Sequence, residues 1–477
     1  MTLLYIALSG PILFVTVVAV VAHRLYGFIH DPLRRVPGPW LARFTRLWEL
    51  VQICGGHFEQ INLDLHRRYG PVVRVTPDRY SIASPGAVRK IYSHGSGFTK
   101  ARWYRAFGDP EDSQADMFSV TDEQRHAAHR RKVATMFSMT SAVSYEPFID
   151  ACTAILVEEL GQQSRLGETV SIPQWMQYYA FDVISEMTIG ASFGMMRTGG
   201  DNDGILQTIH SFLTYSSRMS VFVELHAWIV WVSHLFGSPN PIENIHAYGA
   251  RQLAARRQQP SDRADFIQKL ADLQDAGKIS ELELFNTVEA NFAAGSDTIG
   301  LTVSAVIYYL AQHPRCAQRL RREVDTRASA GRVSFSEAQQ MPYLQAVLKE
   351  ILRVHPAVGM PLPRGYFFPA GTVVGVNAWV LHRDPTIFGD DAHLFRPERW
   401  LGHKDEVASM ERHLFSFGAG SRTCIGKNIS LIELNKLVPE LYRHFEFELE
   451  GDEWQTENVF FVKPSFRCRV VSREGLL

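Results

Sequence analysis

Cysteine is scarce: the chain has five in 477 residues, at Cys54, Cys152, Cys316, Cys424 and Cys468. They are odd in number, scattered and never in a CxxC pair. That excludes a disulfide framework and a zinc cluster, and points to a reducing compartment. Net charge is nearly absent: 49 Lys and Arg stand against 50 Asp and Glu, a formal −1. No global field draws the chain to nucleic acid, so a charged partner must be met by a local patch. Repeats and low-complexity runs are missing, as are GxGxxG, Walker and HExxH patterns, which removes the usual dinucleotide, phosphate-loop and zinc-protease readings. What is present, 46% hydrophobic and 21% charged residues, has the composition of an ordinary folded protein with a large core.

The apolar run Leu3–Ala22 carries no charge, and His23, Arg24, Arg34 and Arg35 follow it with no Lys or Arg before it. A run of this length can cross a bilayer, and the charge asymmetry leaves the rest of the chain on the cytosolic side. The competing reading, a cleaved secretory signal, lacks its usual leading positive charge. Residues 1–30 are therefore assigned to a membrane anchor and 31–477 to one catalytic domain, with VPGPW (36–40) as a stiff hinge.

Alternation and β-branching across Tyr69–Ser84 predict a small sheet, and strand-like pieces return at Thr372–Val376 and Phe466–Ser472. Helical periodicity dominates from about 120 to 355, broken near 197–204, 258–265 and His313-Pro314. The fold class is mainly α with a minor β portion. Apart from Cys424, the cysteines read as buried small hydrophobes.

A capping-box pattern, Ser280 with Glu283, opens a helix that continues to Pro314. Between Asn291 and Ala311 its only charged residue is Asp297, inside AAGSDTIG. It is either a core carboxylate satisfied by a neighbour or a functional group, since an unsatisfied buried carboxylate costs several kcal/mol. Gly295 weakens this helix locally, and Ser296, Asp297 and Thr298 can rearrange its hydrogen bonds. Glu350 and Arg353 share a helix face in LKEILRVHP; such a pair is by default a surface ion pair. Arg399 follows in FRPERW.

The most specific pattern is Phe417-x-x-Gly420-x-Arg422-x-Cys424-x-Gly426, running into a helix-periodic KNISLIEL. Its five fixed residues would occur by chance with a probability on the order of one in ten thousand. A cysteine at a helix start beside Arg422 and Lys427 is biased toward thiolate, and the glycines let backbone approach a large flat group.

These residues, in this order and rough spacing, resemble the cytochrome P450 family of haem-thiolate monooxygenases, and the likeness covers nearly the whole chain. The tone of YGPVVRVTPD, GTVVGVNAWVLHRDP and GAGSRTCIGKNIS is similar to microsomal members from filamentous fungi, within them the pisatin demethylase-like group. The resemblance implies a cytochrome P450 fold holding haem b, with Cys424 as axial ligand of its iron. Phe417 and Gly426 would frame that ligand. Asp297 and Thr298 would relay protons on the distal face. Glu350, Arg353 and Arg399 would form a buried structural triad. Arg422 would meet a haem propionate, and so would His126 and Arg130, where many relatives carry Trp-x-x-x-Arg. Arg364 is a further propionate candidate. Comparable fungal sequences carry an extra strand and turn after PLPR, whereas here Arg364 runs directly into Gly365 and Tyr366. That shortening implies loss of a hairpin strand flanking the haem and leaves the role of Arg364 open.

The implied partners are an NADPH-cytochrome reductase, dioxygen, the endoplasmic reticulum membrane and a lipophilic substrate; no nucleic acid is expected. Arg130, Arg131, Lys132 and Lys427 would offer the reductase a basic patch, or form a solvated helix face. Substrate contact would come from Ala101–Phe107, the 205–235 lid, Asn291–Ala294, Ala357–Leu362 and Asn458–Phe461. Val221–Val232 either dips into the bilayer or is lid core. The expected activity is hydroxylation, epoxidation or dealkylation in fungal secondary metabolism. Its rivals are a haem-thiolate isomerase or dehydratase, against which Asp297-Thr298 counts, and a non-catalytic membrane protein that binds haem or lipid.

Overall fold

The computed structural model describes residues 2–108, 110, 116–202, 204–236, 241–258, 263–328, 331–367, 370–451 and 454–473. Helices make up most of it, as the 3.6-residue periodicity predicts. The first helix, Thr2–His30, spans the apolar run. Among the described residues no helix is long and apolar enough to cross a membrane. Most side chains of Leu3–Ala22 lie outside the described residues, and the expected anchor falls on them.

The strands are β1 (Val72–Arg74), β2 (Arg79–Ile82), β3 (Thr99–Lys100), β4 (Thr169–Ser171), β5 (Leu362–Phe367), β6 (Ala370–Val376), β7 (Phe445–Leu449), β8 (Gln455–Asn458), β9 (Val462–Ser465) and β10 (Arg467–Ser472). One five-stranded sheet runs β1-β2-β6-β5-β3, a second runs β4-β10-β7, and β8 and β9 form a hairpin. After Arg364 the chain stays in β5 and returns antiparallel as β6, so Arg364 lies opposite Val374 on one side and Lys100 of β3 on the other. The shortened segment thus leaves a paired sheet around Arg364.

The long helix, Glu281–Gln312, opens on the expected capping box: Ser280 and Glu283 each accept the other's backbone N–H. It runs unbroken through Gly295. Ser296 and Thr298 hydroxyls donate back to the carbonyls of Phe292 and Ala294 at 2.5 and 2.8 Å, adding to the ladder without interrupting it. Both glycines of this stretch serve packing. A Cβ on Gly295 would meet Ile184 at 2.8 Å, and one on Gly300 would meet the Gln177 backbone at 3.0 Å. The Ile172–Ile189 helix therefore lies close against the long helix, with Tyr179, Phe181, Val183 and Met187 in the main core.

Candidate active site

Cys424 stands between a 3-10 turn, Gly420–Arg422, and the Lys427–His444 helix. The loop closes on Phe417, whose carbonyl accepts the Cys424 N–H at 2.8 Å and the Thr423 hydroxyl at 3.2 Å. Gly420 has φ +66°, and a Cβ there would lie 1.7 Å from the Tyr92 carbonyl oxygen, so only glycine fits. The Cys424 sulfur lies deep in the protein, receives the backbone N–H of Gly426 and Lys427, and yet is solvent-accessible. A Cβ on Gly426 would lie 3.9 Å from this sulfur, so the glycine keeps its surroundings clear.

The electrostatics depart from the expected thiolate bias. Burial pushes the Cys424 thiol up; the Gly426 N–H, Arg130, the Lys427 N–H and the Lys427 ammonium pull it back. Arg422 is not among the largest influences on the sulfur. It donates to Val120 O at 2.9 Å and pairs with Glu123 at 3.1 Å, turned toward the start of the Glu123–Val133 helix. In the protein alone desolvation outweighs the cations; a coordinated metal ion deprotonates such a thiol outright. Of the other cysteines, Cys152 and Cys468 are buried, but Cys54 is exposed and Cys316 half-buried.

Around His126 the chain gathers positive charge. The imidazole is buried, and its pKa is pushed down to about 3 by burial and then by Arg422, Arg130, Lys100 and Arg364. Lys100 and Arg364, both buried, are direct cross-strand neighbours, a pairing that is destabilising between like charges. Lys100 donates to Phe118 O and lies 3.8 Å from the Tyr104 ring centre. Burial, and then Arg422 and Arg364, push its pKa well down. Arg364 Nη1 is buried with no hydrogen-bond partner. Buried cations with an orphaned N–H call for anionic oxygen. The two carboxylates of haem b satisfy that requirement, so the donor set fits the cofactor. Arg130 also donates to Thr423 O at 2.9 Å, tying the basic helix to the cysteine loop.

The middle of the long helix is open along one strip. Ala294 is exposed and Thr298 half-buried, whereas Phe292, Ser296, Asp297, Ile299 and Gly300 are buried. Asp297 faces away from that strip: Gln177 Nε2 donates to Oδ1 at 2.5 Å, and Lys463 Nζ lies 2.7 Å from Oδ2. Thr298 spends its hydroxyl proton on Ala294 O. Acid and alcohol are thus adjacent in sequence but not hydrogen-bonded to each other.

Glu350 and Arg353 form a buried pair, which overturns the default surface reading. Both side chains are fully buried, and Arg353 donates two bonds to the carboxylate at 2.8 and 2.9 Å. Arg399 adds a third at 3.1 Å, and Trp400 Nε1 and the Arg396 N–H complete the cage at 2.9 and 2.7 Å. Three remaining Arg353 bonds, to His382, Ala392 and Leu394 carbonyls, hold the stretch 382–394 that precedes the cysteine loop.

Three of the five expected substrate segments, Ala101–Phe107, Ala357–Leu362 and Asn458–Phe461, meet in one apolar cluster. Trp103, Phe107, Phe118 and Phe460 have ring centres 4.9–6.2 Å apart, Phe461 lies tilted against Phe460 at 5.0 Å, and Val358 bridges to Phe461. The Val221–Val232 segment divides: Val221 is in the main core with Phe222 and Val223 packed against it, whereas Trp228 and Trp231 are exposed. On the basic patch, Lys132 is engaged by Glu283 at 2.6 Å, while Arg131 and Lys427 are exposed. Sequence reasoning missed Lys100, Gln177 and Lys463. Lys100 left a faint trace as one of two cations, with Arg102, among the aromatics of GFTKARWY; the other two left none.

A deep, accessible cysteine beside a buried cationic cluster is the donor set that a thiolate-ligated haem needs. The cytochrome P450 family model matches residues 37–468, and the chain belongs to that family. It is 39% identical to a pisatin demethylase of Fusarium vanettenii over 97% of this chain and 96% of the relative. It is 35% identical to a cytochrome P450 monooxygenase of Penicillium aethiopicum over 98% of each, and 31% identical to one of Emericella nidulans over 93% of this chain and 95% of the relative. The protein is accordingly a monooxygenase with thiolate-ligated haem iron, using dioxygen, a substrate and a redox partner.

Proposed function

We propose that this chain is a membrane-anchored monooxygenase of the endoplasmic reticulum, its catalytic domain cytosolic, oxidising a lipophilic small molecule with NADPH-derived electrons from a reductase. The observation that carries this reading is Cys424, accessible within the interior and fed by two backbone N–H groups. The bound haem would supply dioxygen activation, one oxygen atom entering the substrate and the other leaving as water. The chain's own groups do the rest. Lys100, Arg130, Arg364 and Arg422, with neutral His126, would hold the haem carboxylates by charge-assisted bonds. Asp297 and Thr298 would carry protons toward the open strip, with the threonine hydroxyl as last donor. The aromatic cluster of Trp103, Phe107, Phe460 and Phe461 would orient an apolar substrate and exclude water.

The apolar Leu3–Ala22 run and the exposed Trp228, Trp231, Leu225 and Phe236 support membrane association. The names of two relatives make oxidative demethylation the first reaction to screen, ahead of hydroxylation and epoxidation, and the fungal relatives favour a role in secondary metabolism. The first test is the carbon monoxide difference spectrum of the reduced, membrane-expressed protein. A strongly red-shifted Soret band, lost in Cys424→His, is expected. A band at the position of imidazole-ligated haem in the unaltered protein would refute thiolate ligation and, with it, this function.

A further inference from the structure

A cleft of about 420 Å³ lies between the 3-10 turn Ser220–Leu225 of the lid and the five-stranded sheet, a size that suits a small molecule. Gly365 and Val373, directly opposite each other in β5 and β6, line it. These two strands are the ones that the shortened segment after Arg364 joins directly. The cleft therefore sits beside the point where comparable fungal sequences carry the extra strand and turn.

Four cations line the cleft, Arg46, Arg79, Lys100 and Arg102, against two carboxylates, Asp78 and Glu224. Three of the cations are already engaged. Arg46 takes both carboxylates, donating to Glu224 at 2.9 Å and to Asp78 at 2.8 Å. Arg79 pairs with Glu49 at 2.8 Å and donates to the Ser220 and Val221 carbonyls. Lys100 is buried, donates to Phe118 O and packs on the Tyr104 and Phe118 rings. Arg102 is exposed and, among the described residues, has neither an ion pair nor a hydrogen bond. One cation is thus left over, and a single guanidinium fork matches a single carboxylate.

Position separates Arg102 from an ordinary solvated arginine. The next residue, Trp103, is buried, lines the same cleft and belongs to the aromatic cluster with Phe107 and Phe460. Val223 and Val373 add apolar wall. An unmatched charge and an apolar surface that leads to the cluster therefore share one space. We propose that this cleft holds the carboxylate of an acidic substrate, with Arg102 as its ion-pair partner and the apolar body of the molecule laid along Trp103. Resting on the monooxygenase function above, this narrows the lipophilic substrate to one that carries a single acidic group, oxidised at the end remote from it. Arg102 is then a specificity-determining residue.

The test measures binding of ibuprofen, an aryl-substituted carboxylate, and of its uncharged methyl ester to the full-length, haem-loaded protein by equilibrium dialysis. The parent is compared with Arg102→Gln, Arg102→Lys and Arg102→Glu. The parent should take the acid about fivefold tighter than the ester, the worth of a well-formed exposed ion pair. Arg102→Gln should remove that preference, Arg102→Lys should keep part of it and Arg102→Glu should reverse it; added salt should shrink it. Because Arg102 is exposed, all three variants should keep the parent's carbon monoxide band, which separates lost recognition from misfolding. If the parent takes acid and ester alike, or takes neither, or if the preference survives Arg102→Gln, the proposal falls. Acid bound at Arg102 with the Soret band unmoved would overturn the placement of its body by the aromatic cluster. A parent with the thiolate-type band and no preference for the acid fails this proposal alone. A parent without that band fails the monooxygenase reading, and the dialysis still decides for or against Arg102.

Discussion

Replacing Gly420 by alanine would place a methyl group 1.7 Å from the Tyr92 carbonyl oxygen, well inside contact distance. Two costs follow, and the structure separates them. The first is conformational: at φ +66° an L-residue other than glycine is disfavoured by about 1–2 kcal/mol. The second is steric. Because the obstacle is backbone at the end of the Pro85–Tyr92 helix, relief requires moving that helix or the cysteine loop, an overpacking cost of about 1–3 kcal/mol. Gly418 supplies the control. Its φ is +67°, but the nearest atom to an added Cβ is 3.8 Å away, so Gly418→Ala bears the first cost alone. Displacement at Gly420 also propagates, because its carbonyl accepts the Thr423 N–H, next to Cys424. Gly420→Ala should lose about 2–5 kcal/mol and most of its thiolate-type carbon monoxide band. Gly418→Ala should lose about 1–2 kcal/mol and keep the band. Thermal unfolding and the difference spectrum, normalised to protein, read both quantities. Equal losses in the two variants, or a full band in Gly420→Ala, would refute the steric reasoning.

Glu350→Gln should destabilise by about 3–5 kcal/mol, because it leaves Arg353 buried with carbonyl partners only. Arg399→Lys should cost less, since Asp391, 3.0 Å from Arg399, remains as a second anion; comparable melting shifts would contradict this ranking. Arg364→Met removes a charge-assisted contact worth about 1.5–3 kcal/mol and should speed haem transfer to a scavenger protein by about 10- to 100-fold; an unchanged rate would place Arg364 outside the carboxylate site. Burial pushes Glu433 up to about 8 from an ordinary value of 4.5. The folded state thus holds a proton that the unfolded chain releases across that window, so its stabilising contribution is complete below 4.5 and is lost as pH rises toward 8. Glu433→Gln should remove a decline of up to about 1.4 kcal/mol per pH unit, checked by denaturant unfolding from pH 5 to 8.5; parallel profiles would dismiss Glu433 as its source.

How much of this was legible in the sequence depends on the range over which each feature is decided. The capping box at Ser280, the glycine-lined loop around Cys424 and the strands at Thr372–Val376 and Phe466–Ser472 are settled by neighbours a few residues apart, and each lies where local rules put it. The Glu350/Arg353 pair is local too, but its meaning is not. The same spacing serves a solvated helix face, and only the arrival of Arg399 and Trp400 near the carboxylate turns it into a buried anchor. Arg422 shows the opposite error. Two positions from Cys424, it was credited to the sulfur, yet Glu123 and Val120 capture it from an element some 300 residues away in sequence.

The same range argument explains why Lys100 and Lys463 passed unseen. A lysine in a short strand is usually an edge residue facing water. Lys100 becomes part of a buried cationic cluster because β3 pairs with β5 and sets it opposite Arg364. Lys463 becomes the partner of Asp297 because a hairpin near the C-terminus folds against the long helix. Pairing between distant strands buries Lys100, and packing of a local hairpin on the long helix brings Lys463 to Asp297; periodicity shows neither. The cysteine was therefore the easiest residue to find, and the cations that long-range packing brings to the interior were the hardest. Sites that combine a local nucleophile loop with cations delivered by sheet edges will show the same asymmetry, and in them the lysines of short late strands are the first residues to examine.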